Sequence, residues 1–100
     1  MSKWRKAAKI DKNQPLIVEA LRKIPGITVE TGKDDILVGR NGVTYWFEIK
    51  SDCATNKAGT VRESAKKDSQ KKLEATWTGH YAIVSSLDEI LRIIGLEVSE

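Results

Sequence analysis

The sequence predicts a small α/β domain, a mixed β-sheet flanked by helices in the order α-β-β-β-α-β-α. Three observations carry this prediction. Residues 34–50, "DDILVGRNGVTYWFEIK", are two strand-like runs split by Asn41-Gly42, the strongest short hairpin signal. Residues 81–85, "YAIVS", form a continuous apolar run suited to an interior strand. Apolar residues at helical spacing precede the hairpin and follow that run.

The elements follow in order. Residues 11–24 read as a helix with Asp11 as N-cap, Pro15 in its first turn and Pro25-Gly26 as its stop. Ile10, Ile17, Leu21 and Ile24 mark its inward stripe. Residues 27–30 are a short first strand, and the hairpin strands span 34–40 and 43–50. Residues 51–64 are polar and aperiodic, which predicts a mobile loop. A second helix runs from Glu63 to Trp77 and stops at Gly79. The strand at 81–85 is followed by a closing helix over 86–95, with Ser86 as N-cap.

One hundred residues make a single domain, and 40% hydrophobic with 31% charged residues is a globular composition. No apolar run approaches a membrane span, and the basic start "MSKWRKAAKI" lacks the apolar stretch of a signal peptide. A lone Cys53 forms no intrachain disulfide and fits a reducing, cytoplasmic setting. The net charge of +3 leans toward polyanionic partners. Basic residues crowd an N-terminal arm over 1–9 and the segment from Arg62 to Lys72. Lys33, Arg62, Lys66 and Lys67 are the expected contacts to phosphate.

The register of the hairpin locates the chemistry. With a two-residue type I′ turn, Arg40 faces Val43, Asp35 faces Glu48, and Lys33 faces Lys50. Alternation then puts Asp35, Leu37, Trp46, Glu48 and Lys50 on one face and Ile36, Val38, Tyr45, Phe47 and Ile49 on the other. Directly opposed like charges destabilise a strand pair, so something must compensate Asp35 and Glu48. Two carboxylates, a backbone carbonyl and waters suit a hard divalent cation such as Mg²⁺. Lys50 beside them completes an arrangement suited to phosphodiester hydrolysis. The bland alternative is a solvated strand end in which Asp35 pairs with Lys33 or Lys50.

Gln14 and Gln70 are polar residues on otherwise apolar helical stripes. Each is either an ordinary buried amide or a group aimed at the charged end of the hairpin. Glu19 belongs to the solvated face, paired with Lys23. His80 and Trp77 read as structural, with Trp77 in the core, and Trp4 as a base-stacking side chain.

Four segments, "GKDDILVG", "FEIKS", "SQKKLEATWTG" and "YAIVSSLDE", together resemble the small stand-alone VRR-NUC nucleases of phages and bacteria, within the PD-(D/E)xK superfamily. The opening "IDKNQPLIVEALRKIPGITV" extends the resemblance over residues 10 to about 93. It implies a restriction-endonuclease-like core in a phage-infected or bacterial cytoplasm, with Asp35, Glu48 and the Ile49 carbonyl as ligands to Mg²⁺ or Mn²⁺. It further implies Lys50 as the catalytic lysine and Gln70 as the motif glutamine. The implied activity is structure-selective hydrolysis of DNA, as in Holliday-junction resolvases that act as homodimers, with no small-molecule cofactor and no membrane. Two positions depart from the pattern. Asp34 replaces a proline, and Gln14 stands where many relatives carry a further carboxylate ligand. The alternatives are a catalytically silent DNA-binding module of the same fold and a nuclease for flaps or duplex.

Overall fold

The Asn41-Gly42 turn organises the sheet. Both residues have positive φ, 55° and 81°, as a type I′ turn requires, and glycine takes the second without a Cβ penalty. The computed structural model describes residues 13–32, 35–51 and 54–96. In it, strands β2 (Asp35–Arg40) and β3 (Val43–Ile49) pair antiparallel, from Arg40 opposite Val43 to Asp35 opposite Glu48. The register is the one the turn predicts. Strand β1 (Thr28–Thr31) lies antiparallel outside β2, and β4 (His80–Val84) lies parallel to β3. The sheet order is β1-β2-β3-β4.

A parallel pair needs a crossover, because its strands start at the same end. Residues 50–79 supply it. They include a 3₁₀ turn (Glu63–Ala65) and helix α2 (Asp68–Thr76). Helix α1 (Asn13–Arg22) precedes the sheet and α3 (Leu87–Ile94) follows it. The described residues thus form a small α/β fold, a four-stranded mixed sheet with three α-helices. Among them, no helix is long and apolar enough to cross a membrane.

Alternation along β2 and β3 sends Ile36, Val38, Phe47 and Ile49 to one face. There they meet Ile17, Val18 and Leu21 of α1 and Ile90, Leu91 and Ile94 of α3. This is the main core, and Leu21, Val38, Val84 and Ile90 are completely buried in it. The opposite face holds a smaller cluster of Ala54, Val61 and Ile83, with Ala65 and Tyr81 at its margin. Arg40 Nη1 donates to the Ile94 carbonyl at 2.8 Å, tying the turn end of the hairpin to the end of α3. Ser86 Oγ accepts the Glu89 N–H at 3.2 Å and caps α3 as the sequence predicts.

The segment 51–64, expected as a mobile loop, carries local structure in its described part. Thr55 bridges Val61, Asn56 Oδ1 accepts the N–H groups of Ala58 and Thr60, and Ala54 and Val61 are buried. Its polar residues satisfy the backbone of a tight turn, which periodicity does not register. The helix expected over 63–77 is broken at Lys66 and Lys67, whose extended backbone separates the 3₁₀ turn from α2. Trp77 is not core, being 50% exposed beyond the end of α2. Asp11, Ile10, Trp4, Cys53 and the basic arm lie outside the described residues.

Candidate metal and phosphate site

β2 enters the sheet through Gly32, whose N–H donates to the Asp35 carbonyl at 2.8 Å. A Cβ on Gly32 would collide with Asp35 Oδ1, so the absence of a side chain makes the space the carboxylate occupies. The other oxygen, Oδ2, accepts the Trp46 indole N–H at 2.9 Å. Asp35 is therefore held between a glycine and a tryptophan, and a charge-assisted hydrogen bond fixes its rotamer.

Glu48 stands directly opposite Asp35 on β3, half-buried, and opposite Ile83 on β4. Lys50 lies two residues further along. Its N–H donates to the Val84 carbonyl at 2.8 Å, so the ladder continues and alternation keeps Lys50 on the face of Glu48. Its own carbonyl accepts Asn13 Nδ2 at 2.7 Å, and the same amide reaches the Ser85 carbonyl at 3.0 Å. Asn13 thereby clamps the ends of β3 and β4 against the start of α1. A side-chain hydroxyl pair, Thr55 and Ser85 at 2.6 Å, ties the crossover to the same end.

Trp46 anchors an aromatic group on the carboxylate face. Its ring meets Trp77 at 5.1 Å and Tyr81 at 4.8 Å, both edge to face. A groove bordered by Thr31, Gly32, Asp35, Leu37 and Trp46 runs beside the carboxylate. A second, larger depression between α1 and β1 shares Thr31 and Gly32 as its wall and contains Gln14, Pro15, Val18 and Arg22. Gln14 is half-buried there, across Gly32 from the groove of Asp35.

Gln70 is buried, 8% exposed, as its helical position predicts. Its Oε1 accepts the Lys67 N–H at 2.9 Å and so caps α2. Lysine has no acceptor to return the bond, so this is half of a capping box. Lys66 does not belong among the phosphate contacts. Its side chain is 8% exposed, and its ammonium bridges Glu63 at 2.8 Å and Glu74 at 3.0 Å. Burial pushes its pKa down, but the bonds and charges of the two carboxylates outweigh this and raise it overall. The same ammonium lowers the pKa of Glu63. Arg62 and Lys67 are exposed, whereas Lys33 and Asp34 lie outside the described residues. His80 packs on Tyr45 at 4.7 Å, and Glu19 pairs with Lys23 at 3.7 Å on the solvated face of α1.

No family model matches this chain, and neither the curated proteins nor the solved structures contain a match to it.

Among the described residues there is no group of three or more histidine, cysteine or acidic side chains arranged to hold a metal. The donor set is therefore two facing carboxylates and backbone oxygen. That is lean for a closed protein cage, but it suits Mg²⁺, which keeps most of its waters and takes one or two carboxylates plus substrate phosphate. The Gly32 cradle fits the same use, since the missing side chain admits the carboxylate to the edge of a groove.

Residue-by-residue reading missed Asn13, Trp46 and Tyr81 as parts of this site. Trp46 was legible in part, because the hairpin register already placed it on the face of Asp35 and Glu48. Asn13 carries no such signal, as its two acceptors lie 37 and 72 residues away in the chain.

Proposed function

We propose that the protein is a metal-dependent, structure-selective DNA endonuclease, a Holliday-junction resolvase that acts as a homodimer on a restriction-endonuclease-like core. The observation that carries the reading is the facing pair Asp35 and Glu48, with Lys50 at the end of the same strand. The element order and the sheet order support the core assignment, with the facing carboxylates at the open end of the central hairpin.

In this reading Asp35, Glu48 and the Ile49 carbonyl hold Mg²⁺ or Mn²⁺. The bound cation would polarise a phosphodiester and lower the pKa of a coordinated water. The chain's own groups do the rest. Trp46 and Gly32 hold Asp35 in one orientation, so no rotamer search accompanies binding. Lys50 presents an ammonium on the carboxylate face, where it stabilises negative charge developing on phosphate oxygens. Asn13 fixes the backbone on which Lys50 is mounted. Gln70 closes the start of α2, and in this reading its amide orients water or phosphate beside the carboxylates. Arg62 and Lys67 supply phosphate contacts without base readout, leaving shape as the means of discrimination.

The test uses purified protein and its Glu48→Gln variant on labelled four-way junctions, flaps and linear duplex, with Mg²⁺ or with EDTA. Paired symmetric nicks in the junction are expected, falling about a hundredfold or more in the variant. Binding without cleavage under Mg²⁺ and Mn²⁺ alike would leave a silent DNA-binding module. Cleavage of flaps or duplex alone would retain the chemistry and remove the junction.

A further inference from the structure

Four large apolar side chains are exposed among the described residues: Leu16 on α1, Ile93 on α3, Leu37 and Trp77. The last two are joined through a third residue. Leu37 stands directly opposite Trp46 across the hairpin, and the Trp46 ring meets the Trp77 ring at 5.1 Å, edge to face. Tryptophan is a largely buried residue type, so one that is 50% exposed beside an exposed leucine points to a covering partner. Its ring is held in place. The Trp77 N–H donates to the Leu73 carbonyl at 2.8 Å, and a Cβ on Gly79 would stand 3.0 Å from the indole Nε1. Glycine there makes room for the indole, and Trp46 backs it.

This ledge runs into the carboxylate groove. Trp46 belongs to both, since its Nε1 donates to Asp35 Oδ2 at 2.9 Å while its ring carries Trp77. Leu37 and Trp46 border the groove two residues along their strands from Asp35 and Glu48, or about 7 Å. A phosphate at the carboxylates can thus place its own base on the ledge. A second copy of the chain fits less well. Stable interfaces take about 800 Å² and roughly 20–30 residues from each partner, against three side chains here. A copy seated on them would also cover Asp35. Charge favours a polyanion. Helix α2, which leads into Trp77, exposes Lys67 at its start and Lys71 and Lys72 along it. Of its two acids, Asp68 and Glu74, the second is paired with Lys66. Cations beside an exposed aromatic ring are the elements of a single-strand binding surface.

We infer that Trp77, with Leu37, is a stacking platform for an unpaired nucleobase beside the phosphodiester. The inference rests on the reading of Asp35 and Glu48 as the cleavage site. It adds what the substrate must supply there, a nucleotide outside the duplex stack, as at a branch point or a single-stranded end. A base within continuous duplex would first have to be unstacked, at a cost in free energy. Trp77 is then a contact that sets specificity and takes no part in the chemistry.

Fluorescein-labelled oligothymidine and a blunt duplex of equal length, titrated into the whole chain in EDTA and followed by anisotropy, test this without cleavage. Wild type, Trp77→Ala and Trp77→Phe are compared, with a thermal melt of each. Trp77→Ala should bind oligothymidine about five- to a hundredfold more weakly and the duplex equally well. Trp77→Phe should keep most of the oligothymidine affinity. It should lose most of the quenching of tryptophan fluorescence that unlabelled oligothymidine causes in wild type. Leu37→Ala should show the same strand selectivity to a smaller degree, so the result does not hang on the folding of one variant. An equal loss on both DNAs, or no loss on either, would overturn the platform. A dimer that becomes monomeric in Trp77→Ala, with oligothymidine binding unchanged, would give the ledge to a second copy and overturn it too. Trp77-dependent binding by a protein that cleaves no DNA under Mg²⁺ would keep the platform and remove the nuclease. Junction nicking without oligothymidine binding would do the reverse.

Discussion

On one face of the sheet, Ile36, Val38, Phe47 and Ile49 meet α1 and α3 in a continuous apolar core. On the other, Asp35, Leu37, Trp46 and Glu48, drawn from the same two strands, lie toward the 3₁₀ turn and α2 over a cluster of three buried apolar residues among those described. The residues alternate one by one, so both faces descend from a single turn and a single register. The difference shows how a small domain can divide its work. Fully burying an aliphatic or aromatic side chain is worth about 1.5–3 kcal/mol, and one face collects nearly all of that. The other face can then carry two opposed carboxylates and a buried hydroxyl with no hydrogen-bond partner among the described residues, each unfavourable for folding alone.

The sharpest way to break the comparison is on the core face. Phe47 is 1% exposed at the centre of β3, and Phe47→Ala should lose about 3–5 kcal/mol through lost transfer energy and a cavity. A domain of this size has about 5–15 kcal/mol in all, so the variant should be largely unfolded in mild urea. Circular dichroism during urea titration measures this. A loss under about 1 kcal/mol would mean that the core is not where the stability lies.

Gly32→Ala probes the opposite face. The added methyl would strike Asp35 Oδ1, and turning the carboxylate away would break its bond from Trp46. Divalent-cation affinity should fall about tenfold, with stability changed by about 1 kcal/mol or less. Calorimetry with Mn²⁺ and a thermal melt separate the two effects. A large stability loss at unchanged affinity would mean that Gly32 serves the fold rather than the site.

The smallest effect concerns Glu89, the one buried acid on the core side of the molecule among the described residues. Burial raises its pKa, partly offset by the Ser85 N–H and by Arg92 and Lys66. The sign follows from the raised value. The stability this group contributes is full below its ordinary 4.5 and is lost as pH rises through the higher folded value. Glu89→Gln keeps an oxygen for the Ser85 N–H, now 3.2 Å from the carboxylate, and removes the charge. The variant should therefore match or exceed wild type above neutrality, by up to about 1 kcal/mol. That margin should close as pH falls toward 4.5. Melting curves across the range report it, and a margin that widens at low pH would reverse the assignment.

The hairpin was legible in the sequence because its instructions are local. Asn41-Gly42 specifies a turn type, the turn sets the register, and period-two alternation assigns each side chain to a face. The facing of Asp35 and Glu48 follows from those three steps without any knowledge of the rest of the chain. The crossover was less legible. Asn56 and Thr60 build a turn from side-chain hydrogen bonds, and Lys66 turns inward to two carboxylates, neither of which periodicity can reveal. Reading Lys66 as a surface cation failed because a charge run normally marks a solvated face, whereas here one member is paired beneath it.

By itself, then, the sequence determined the strands, the turn, the opposed carboxylates and the inward placement of Gln70. Tertiary structure alone decided what surrounds them: Asn13 on the Lys50 carbonyl, the space at Gly32, and the Tyr81 ring against Trp46. Turn chemistry and alternation act between neighbours in the chain, so a linear reading captures them. Contacts spanning 37 and 72 residues exist only once α1, the crossover and β4 have closed on the hairpin.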